Sequence, residues 1–291
     1  MQKVLVTIKT MIKNVMKKEP VLSIAVILAV ISMFVVHPDD MYASYIDFRT
    51  LAILFCLMVI VAGMREIGVF DYIAQSLLNR VKSISGIVMI LVLLCFFLSM
   101  VITNDVALIT FVPFAILILK RFPKEVRCHW LIPCVVMQTA AANLGSMMTP
   151  IGNPQNLYLY GKANLQASSF LLLMLPYTAL SLLLLIIWIA IHTKRKTDNE
   201  TNCMDGSTHK AVYAKTQSRK ISDKLRLTIY LILFFLSLLA VGRLISIWIV
   251  FACVIAWAAA FDSKLFRNAD YALLGTFTAL FVFIGNLGRI P

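Results

Sequence analysis

Residues 86–119 read GIVMILVLLCFFLSMVITNDVALITFVPFAILIL, an apolar run with the polar triplet Thr103-Asn104-Asp105 in its middle. One membrane-spanning helix needs about 20 residues, so the run is too long for one span, and each arm, at about 14–17 residues, is short for a full span. Basic residues flank both ends of the run: Arg80, Lys82, Lys120, Arg121, Lys124 and Arg127. Because such residues collect on the cytoplasmic side, both ends should lie there. The run therefore predicts a re-entrant hairpin with the triplet at its tip; two short spans are the alternative.

The composition of the whole chain is that of a membrane protein. Of its 291 residues 60% are hydrophobic and 14% are charged, whereas soluble domains carry about 25% charged residues. The net charge of +13 comes mainly from cations between apolar runs, as in cytoplasmic loops, so we expect a lipid bilayer and no nucleic acid as partner. The six cysteines form no CxxC pair and are interpreted as packing residues rather than metal ligands or disulfides.

Further apolar runs and the loop charges predict the remaining organisation. Five lysines within residues 1–18 place the N-terminus in the cytoplasm, and a loop with three aspartates and no Lys or Arg, residues 37–47, belongs outside. The further predicted spans are Pro20–Val36, Phe48–Met64, Cys128–Tyr160, Ser168–Ile191, Leu227–Val241, Leu244–Ala260 and Tyr271–Ile290. We predict four domains: a basic amphipathic helix (1–19), a first transmembrane repeat (20–192, with the hairpin at about 86–120 and a broken helix at about 128–160), a cytoplasmic basic linker (193–226) and the start of a second, inverted repeat (227–291).

The repeat is visible in the sequence itself. Residues 47–68 align without gaps with residues 270–291, and five positions are identical, including Asp47 with Asp270 and Leu57 with Leu280. The two copies cross in opposite directions in the predicted topology, as in inverted-repeat secondary transporters. The counterparts of Asp105 and Asn153 would fall beyond residue 291, so we expect the second repeat to be incomplete and the chain to be a fragment.

A second polar interruption lies at residues 143–156, NLGSMMTPIGNPQN. Its two prolines stop the helical hydrogen-bond ladder and free carbonyl groups. Irregular backbone at mid-membrane depth is tolerated only where protein buries it or water reaches it, and broken helices there offer dipole ends to anions and oxygens to Na⁺. Asp105, an ionisable group inside the membrane, indicates a functional site. The alternatives are a kink without a ligand, and an ion pair of Asp105 with Arg65 or another cation.

These two segments resemble the ion transporter superfamily, which includes citrate and dicarboxylate transporters, arsenite permeases and some Na⁺/H⁺ antiporters. The resemblance lies in the hairpin tip Thr103-Asn104-Asp105 and in Thr149-Pro-Ile-Gly152-Asn153-Pro154-Gln155-Asn156, which is similar to a T-x-x-G-x-P-x-N pattern. It implies an all-α, inverted-repeat secondary transporter with a re-entrant hairpin and a discontinuous helix. It also implies coupling-ion ligands at Ser99, Thr103, Asn104 and Gly152, and substrate-binding residues at Thr103, Asn104, Asp105, Thr149, Asn153 and Asn156.

The resemblance leaves the substrate open. The dicarboxylate branch has a hydroxyl residue where Asp105 stands, while Asn-Asp at the tip is closer to arsenite permeases. We expect a small anionic or oxyanion substrate coupled to Na⁺ or H⁺ by alternating access. Arsenite-type efflux, Na⁺/H⁺ antiport and a non-transporting membrane scaffold are the alternatives.

Other functional classes fit the sequence less well. The chain has no HExxH, GxSxG or GxGD motif, so an intramembrane enzyme is not favoured. No cofactor or metal is expected beyond Na⁺ as the coupling ion. The expected location is a bacterial-type plasma membrane. A homodimer is compatible with the sequence, whereas an antiparallel one is disfavoured by the strong charge bias.

Overall fold

A computed structural model describes residues 19–78, 81, 83–120, 122–194 and 224–290. All regular secondary structure within these residues is helical. The helices are α1 (Pro20–Val35), α2 (Tyr42–Tyr45), α3 (Phe48–Ile67), α4 (Val69–Leu78), α5 (Ile84–Ile102), α6 (Asn104–Leu119), α7 (Lys124–Ser146), α8 (Pro154–Lys162), α9 (Ala167–Lys194), α10 (Lys224–Val241), α11 (Ile247–Phe261), α12 (Leu265–Asn268) and α13 (Tyr271–Leu287). The amphipathic helix predicted for residues 1–19 and the linker predicted for 193–226 fall almost wholly outside the described residues; these and the other domain bounds stay predictions.

Several of these helices have the length and composition of membrane spans. α3, α5, residues 167–192 of α9, and α10 are long and apolar enough to cross a bilayer, and α1, α6, α11 and α13 are shorter apolar helices. Only 17% of the apolar 18-residue stretch of α9 is buried. Most of that helix therefore presents hydrocarbon side chains to lipid. The chain is therefore an all-α polytopic membrane protein, as the sequence predicts.

The chain divides into two compact units, of which the first comprises the described parts of residues 1–59 and 247–291. In this unit α1 packs along α13, and the fully buried Asn286 donates from Nδ2 to the hydroxyls of Ser32 and Tyr42, both at 2.9 Å. Arg289 donates to Asp39 at 2.8 Å and to the hydroxyl of Tyr45 at 2.9 Å. These hydrogen bonds raise the pKa of the Arg289 guanidinium above its usual value; the bond to Tyr45 has the larger effect and the bond to Asp39 the next largest.

The second unit comprises the described parts of residues 60–246 and contains both polar interruptions. Its centre is formed by α5, α6 and α7, which pack against one another. Gln138 of α7 is fully buried and donates from Nε2 to the carbonyls of Leu91 and Phe111, at 3.4 and 3.3 Å. These carbonyls therefore lie within about 7 Å of each other, although a continuous helix would separate them by about 30 Å. The chain must reverse at Thr103, and α5 and α6 form a helical hairpin.

Candidate functional site

The hairpin tip is a one-residue break with an unusual backbone. Thr103, between α5 and α6, has φ 75° and ψ 151°, a conformation that is otherwise almost confined to glycine and costs about 1–3 kcal/mol. α6 begins at Asn104, whose backbone N–H donates to the carbonyl of Gly152 at 3.0 Å. The side-chain amide of Asn104 donates to Oδ1 of Asn143 at 3.1 Å. The tip is thus fastened to the second interruption through both backbone and side chain.

One oxygen at this junction is not satisfied by protein. Among the residues that the structure describes, Oδ1 of Asn104 is buried and has no hydrogen-bond partner. A buried polar atom without a partner is costly and rare in folded proteins. The atom is an acceptor, so it is suited to a cation or to a hydrogen-bond donor that comes from outside the protein.

The second break extends over the residues between Ser146, where α7 ends, and Pro154, where α8 begins. Asn156 is buried, and its Nδ2 donates to the carbonyls of Ser146, Met147 and Thr149 at 3.2, 3.0 and 3.1 Å. The carbonyl of Ser146 is at the end of α7, where helical partners are missing, and those of Met147 and Thr149 follow it in the break; the carbonyl of Thr149 also accepts from the N–H of Gly152. Asn156 therefore closes the broken end of α7 internally.

Asn153 completes this closure. Its Oδ1 accepts from the backbone N–H of Asn156 at 2.7 Å and so caps the N-terminus of α8. Its Nδ2 donates to the hydroxyl of Ser146 at 3.2 Å. The hydroxyl of Thr149 reaches across to α5 and donates to the carbonyl of Met100. The second break thereby pairs several of its own polar groups and also binds the hairpin.

Two glycines allow the segments to approach this closely. A Cβ at Gly145 would lie 2.0 Å from the carbonyl oxygen of Phe96 and 2.9 Å from Oγ of Ser99. A Cβ at Gly152 would lie 2.0 Å from the carbonyl oxygen of Ser146. Ser99 is fully buried and donates to the carbonyl of Phe96 at 2.9 Å within its own helix. Backbone therefore packs on backbone at both positions.

The structure brings most of the predicted site residues into one cluster. Asn104 and Gly152 are in direct contact, Ser99 lies against Gly145, and Asp105 is exposed on the first turn of α6. Of the remaining four, Thr103 forms the tip itself, Thr149 and Asn153 lie in the second break, and Asn156 lies in the first turn of α8. Their roles in binding substrate or ion stay predictions.

Two amides that the sequence reasoning did not select are essential to this arrangement. Asn143 accepts the side chain of Asn104, and Gln138 holds both arms of the hairpin. The sequence feature that could have identified Asn143 and Gln138 is the presence of an amide side chain within an apolar helix. Such a residue must find a partner inside the membrane.

Comparison with known proteins identifies the family. The model of a family described as citrate transporter matches residues 4–290. The chain belongs to the citrate transporter family. This membership confirms the predicted resemblance to the ion transporter superfamily, and it makes the protein a membrane transporter by family.

Relatives of this citrate transporter family member carry transporter or membrane-protein names. An uncharacterized transporter of Methanocaldococcus jannaschii is 29% identical over 92% of this chain and 68% of its own length. The inner membrane protein YbiR of Escherichia coli is 30% identical over 90% of this chain and 65% of its own. The silicon efflux transporter LSI3 of Oryza sativa subsp. japonica is 30% identical over 49% of this chain and 28% of its own. The chain thus spans about two thirds of the length of the first two.

Proposed function

We propose that the protein is a secondary active transporter that moves an anion of the citrate or dicarboxylate type, coupled to Na⁺ or H⁺. The observation that carries the proposal is the buried Oδ1 of Asn104, which has no hydrogen-bond partner among the described residues and lies where the two helix breaks meet. Oxygen ligands of this kind suit a hard cation. The start of α6 beside it contributes the positive end of a helix dipole, which favours an anion.

Substrate and coupling ion would occupy the junction between the hairpin tip and the break after α7. The role proposed for Ser99, Thr103, Asn104 and Gly152 is on the ion side, and that of Asp105, Thr149, Asn153 and Asn156 is on the substrate side. The bonds made by Asn153 and Asn156 add a positioning role, because these amides hold the backbone against which a ligand would rest. Transport would proceed by alternating access.

The cellular setting follows from the same proposal. The basic N-terminus would face the cytoplasm, and the membrane would be a bacterial-type plasma membrane, which is supported by the name of the Escherichia coli relative. A homodimer is the assembly proposed for the full transporter.

Flux in proteoliposomes tests the proposal. Radiolabelled citrate uptake is measured with an imposed sodium gradient, with an imposed proton gradient and with neither. We expect uptake to require one of the gradients and to be lost in Asp105→Asn and Asn104→Leu. Ser181→Ala is the control, because Ser181 is a half-buried residue on α9 that bonds only within its own helix among the contacts described. Gradient-independent uptake, or full activity in both site variants, would contradict the proposal.

A second candidate is the export of a neutral oxyacid such as arsenite or silicic acid. A carboxylate at Asp105, exposed beside the junction, repels an anionic substrate but not a neutral one. A relative that matches 49% of this chain is named as a silicon efflux transporter. The same proteoliposomes, loaded with arsenite or silicic acid, distinguish the candidates: efflux of either compound without citrate transport would favour this function.

A further inference from the structure

A polar cavity lies in the second unit (the described parts of residues 60–246), away from the helix breaks. It has a volume of about 270 Å³ and is located where the end of α3 and the start of α4 meet the middle of α6. Its charged lining residues are Arg65 and Asp71, and its apolar wall consists of Phe70, Ile109, Pro113, Phe114 and Leu117. Both charges therefore stand on one largely apolar surface.

The two charges are held apart by a glycine turn. Gly68, between α3 and α4, has φ 86°, a conformation that glycine adopts without strain. Arg65 precedes it by three residues, in the last turn of α3, and Asp71 follows it by three, in the first turn of α4. A cation and an anion, one on each side of the turn in the sequence, therefore both line one cavity.

Arg65 is only partly satisfied by the protein. The one hydrogen bond found for it within the described ranges runs from Nη2 to the carbonyl of Ile109, at the long distance of 3.5 Å. That carbonyl is available because residue 113, four positions later, is a proline and has no N–H to donate to it. A guanidinium carries five N–H donors, so most of its capacity is left for a ligand.

Thr110 adds a further polar group to the cavity wall. Its hydroxyl is buried and has no hydrogen-bond partner in the part of the chain that the structure describes. Other threonines on helices donate to the carbonyl four residues earlier: Thr139, Thr178, Thr228, Thr276 and Thr278. The hydroxyl of Thr110 lacks this bond, so its donor is not used within the described residues.

The surface beside the cavity is suited to hydrocarbon chains. Ile109, Pro113 and Leu117 recur every four residues and therefore share one face of α6. All three are exposed, Ile109 by 56% and Leu117 by 61%. α3 is 20 residues long, which is enough to cross the hydrocarbon core, so Arg65 in its last turn is expected close to one membrane boundary.

We propose that this cavity binds the headgroup of a zwitterionic phospholipid with a free amine, of the phosphatidylethanolamine type. Arg65 takes the phosphate through charge-assisted hydrogen bonds, and Asp71 takes the ammonium group. A basic pocket between membrane helices is a known kind of headgroup site, and the carboxylate of Asp71 selects the zwitterionic headgroup over an anionic one.

Native mass spectrometry of the purified 291-residue chain tests this. The chain is mixed with phosphatidylethanolamine, phosphatidylcholine or phosphatidylglycerol of identical acyl chains, and the retained lipid is counted. We expect the ethanolamine lipid to be retained best, because the trimethylated choline group cannot donate hydrogen bonds to Asp71 and the glycerol lipid lacks a cation. Equal retention of all three lipids would overturn the proposal.

Variants assign the two charges. Arg65→Gln should weaken retention of the ethanolamine lipid at least about tenfold, while Arg49→Gln, the control near the other end of α3, should not. Asp71→Asn should remove the preference for ethanolamine over glycerol and keep phospholipid binding. Thr110→Val, which preserves shape, should lower retention about threefold and covers the case in which the arginine variant does not fold. If Arg65→Gln retains the ethanolamine lipid as well as the parent does, the assignment of the headgroup to this cavity is refuted. If Arg65→Gln does not fold, unchanged retention in Thr110→Val refutes it.

Discussion

The break between α5 and α6 is one residue long, whereas the break between α7 and α8 covers residues 147–153. The short break places Thr103 in a backbone conformation that suits glycine and leaves Oδ1 of Asn104 buried without a partner among the described residues. The long break pairs several of its polar groups with Asn153 and Asn156. The comparison shows an unsatisfied acceptor at the hairpin tip, while the two amides of the long break hold the broken helix together.

The largest expected effect comes from the contact that holds the two breaks together. Gly145→Val places a Cβ within about 2 Å of the carbonyl oxygen of Phe96, so α5 and α7 must separate. Because overpacking of a close contact costs about 1–3 kcal/mol or more, we expect a marked fall in Tm or in the yield of monodisperse protein, measured in detergent. Gly242→Ala is the control, since its Cβ would meet only ordinary contacts from 3.5 Å outward. Equal Tm values for the two variants would show that the backbones can move apart.

A second large effect is expected at the long break. Asn156→Leu removes a donor to three carbonyls, of which that of Thr149 keeps the N–H of Gly152; because the carbonyls of Ser146 and Met147 lose this donor, stability should fall by about 2–3 kcal/mol. Denaturant titration in mixed micelles measures this with no ligand present. The exposed neighbour in Gln155→Leu is the matched control. If Asn156→Leu kept the stability of the parent and lost only transport, Asn156 would be a ligand and not a support.

The hairpin tip should respond in the opposite way. Asn104→Leu loses one hydrogen bond to Asn143 but also removes the unsatisfied oxygen, so stability should change by no more than about 1 kcal/mol. A ligand that binds the folded state raises Tm. Replacing choline chloride by sodium chloride should therefore raise the Tm of the parent and leave that of Asn104→Leu unchanged. A sodium-induced shift that survives in the variant would place the ion elsewhere.

The smallest effect is expected at Thr103 itself. Thr103→Gly relieves a strained backbone of about 1–3 kcal/mol but gives the unfolded chain more freedom, so the net gain should be at most about 1 kcal/mol. Thr103→Ala keeps a Cβ and should bring no such gain. Tm measured side by side decides: if the alanine variant is at least as stable as the glycine variant, the backbone at the tip is not strained.

The helical architecture and both breaks could be predicted from the sequence. The features that indicate them, which are the length of an apolar run, its basic flanks and its prolines, all lie within the segment concerned. The hairpin reversal at Thr103 and the break before Pro154 are examples. The contacts between the breaks could not be predicted, because they join residues far apart in sequence. The difference between Asn104 and Asn156 could not be predicted either, because two asparagines in polar segments cannot be told apart until their hydrogen-bond partners are known.

Gln138 holds the hairpin by the carbonyls of Leu91 and Phe111, which are backbone atoms. A substitution on either arm leaves both acceptors in place, as long as the arm stays helical. Apolar side chains on the arms can therefore be exchanged without loss of these two bonds, whereas one change at position 138 removes both bonds together. The hairpin would then be held to the second break by the bonds of Asn104 and Thr149.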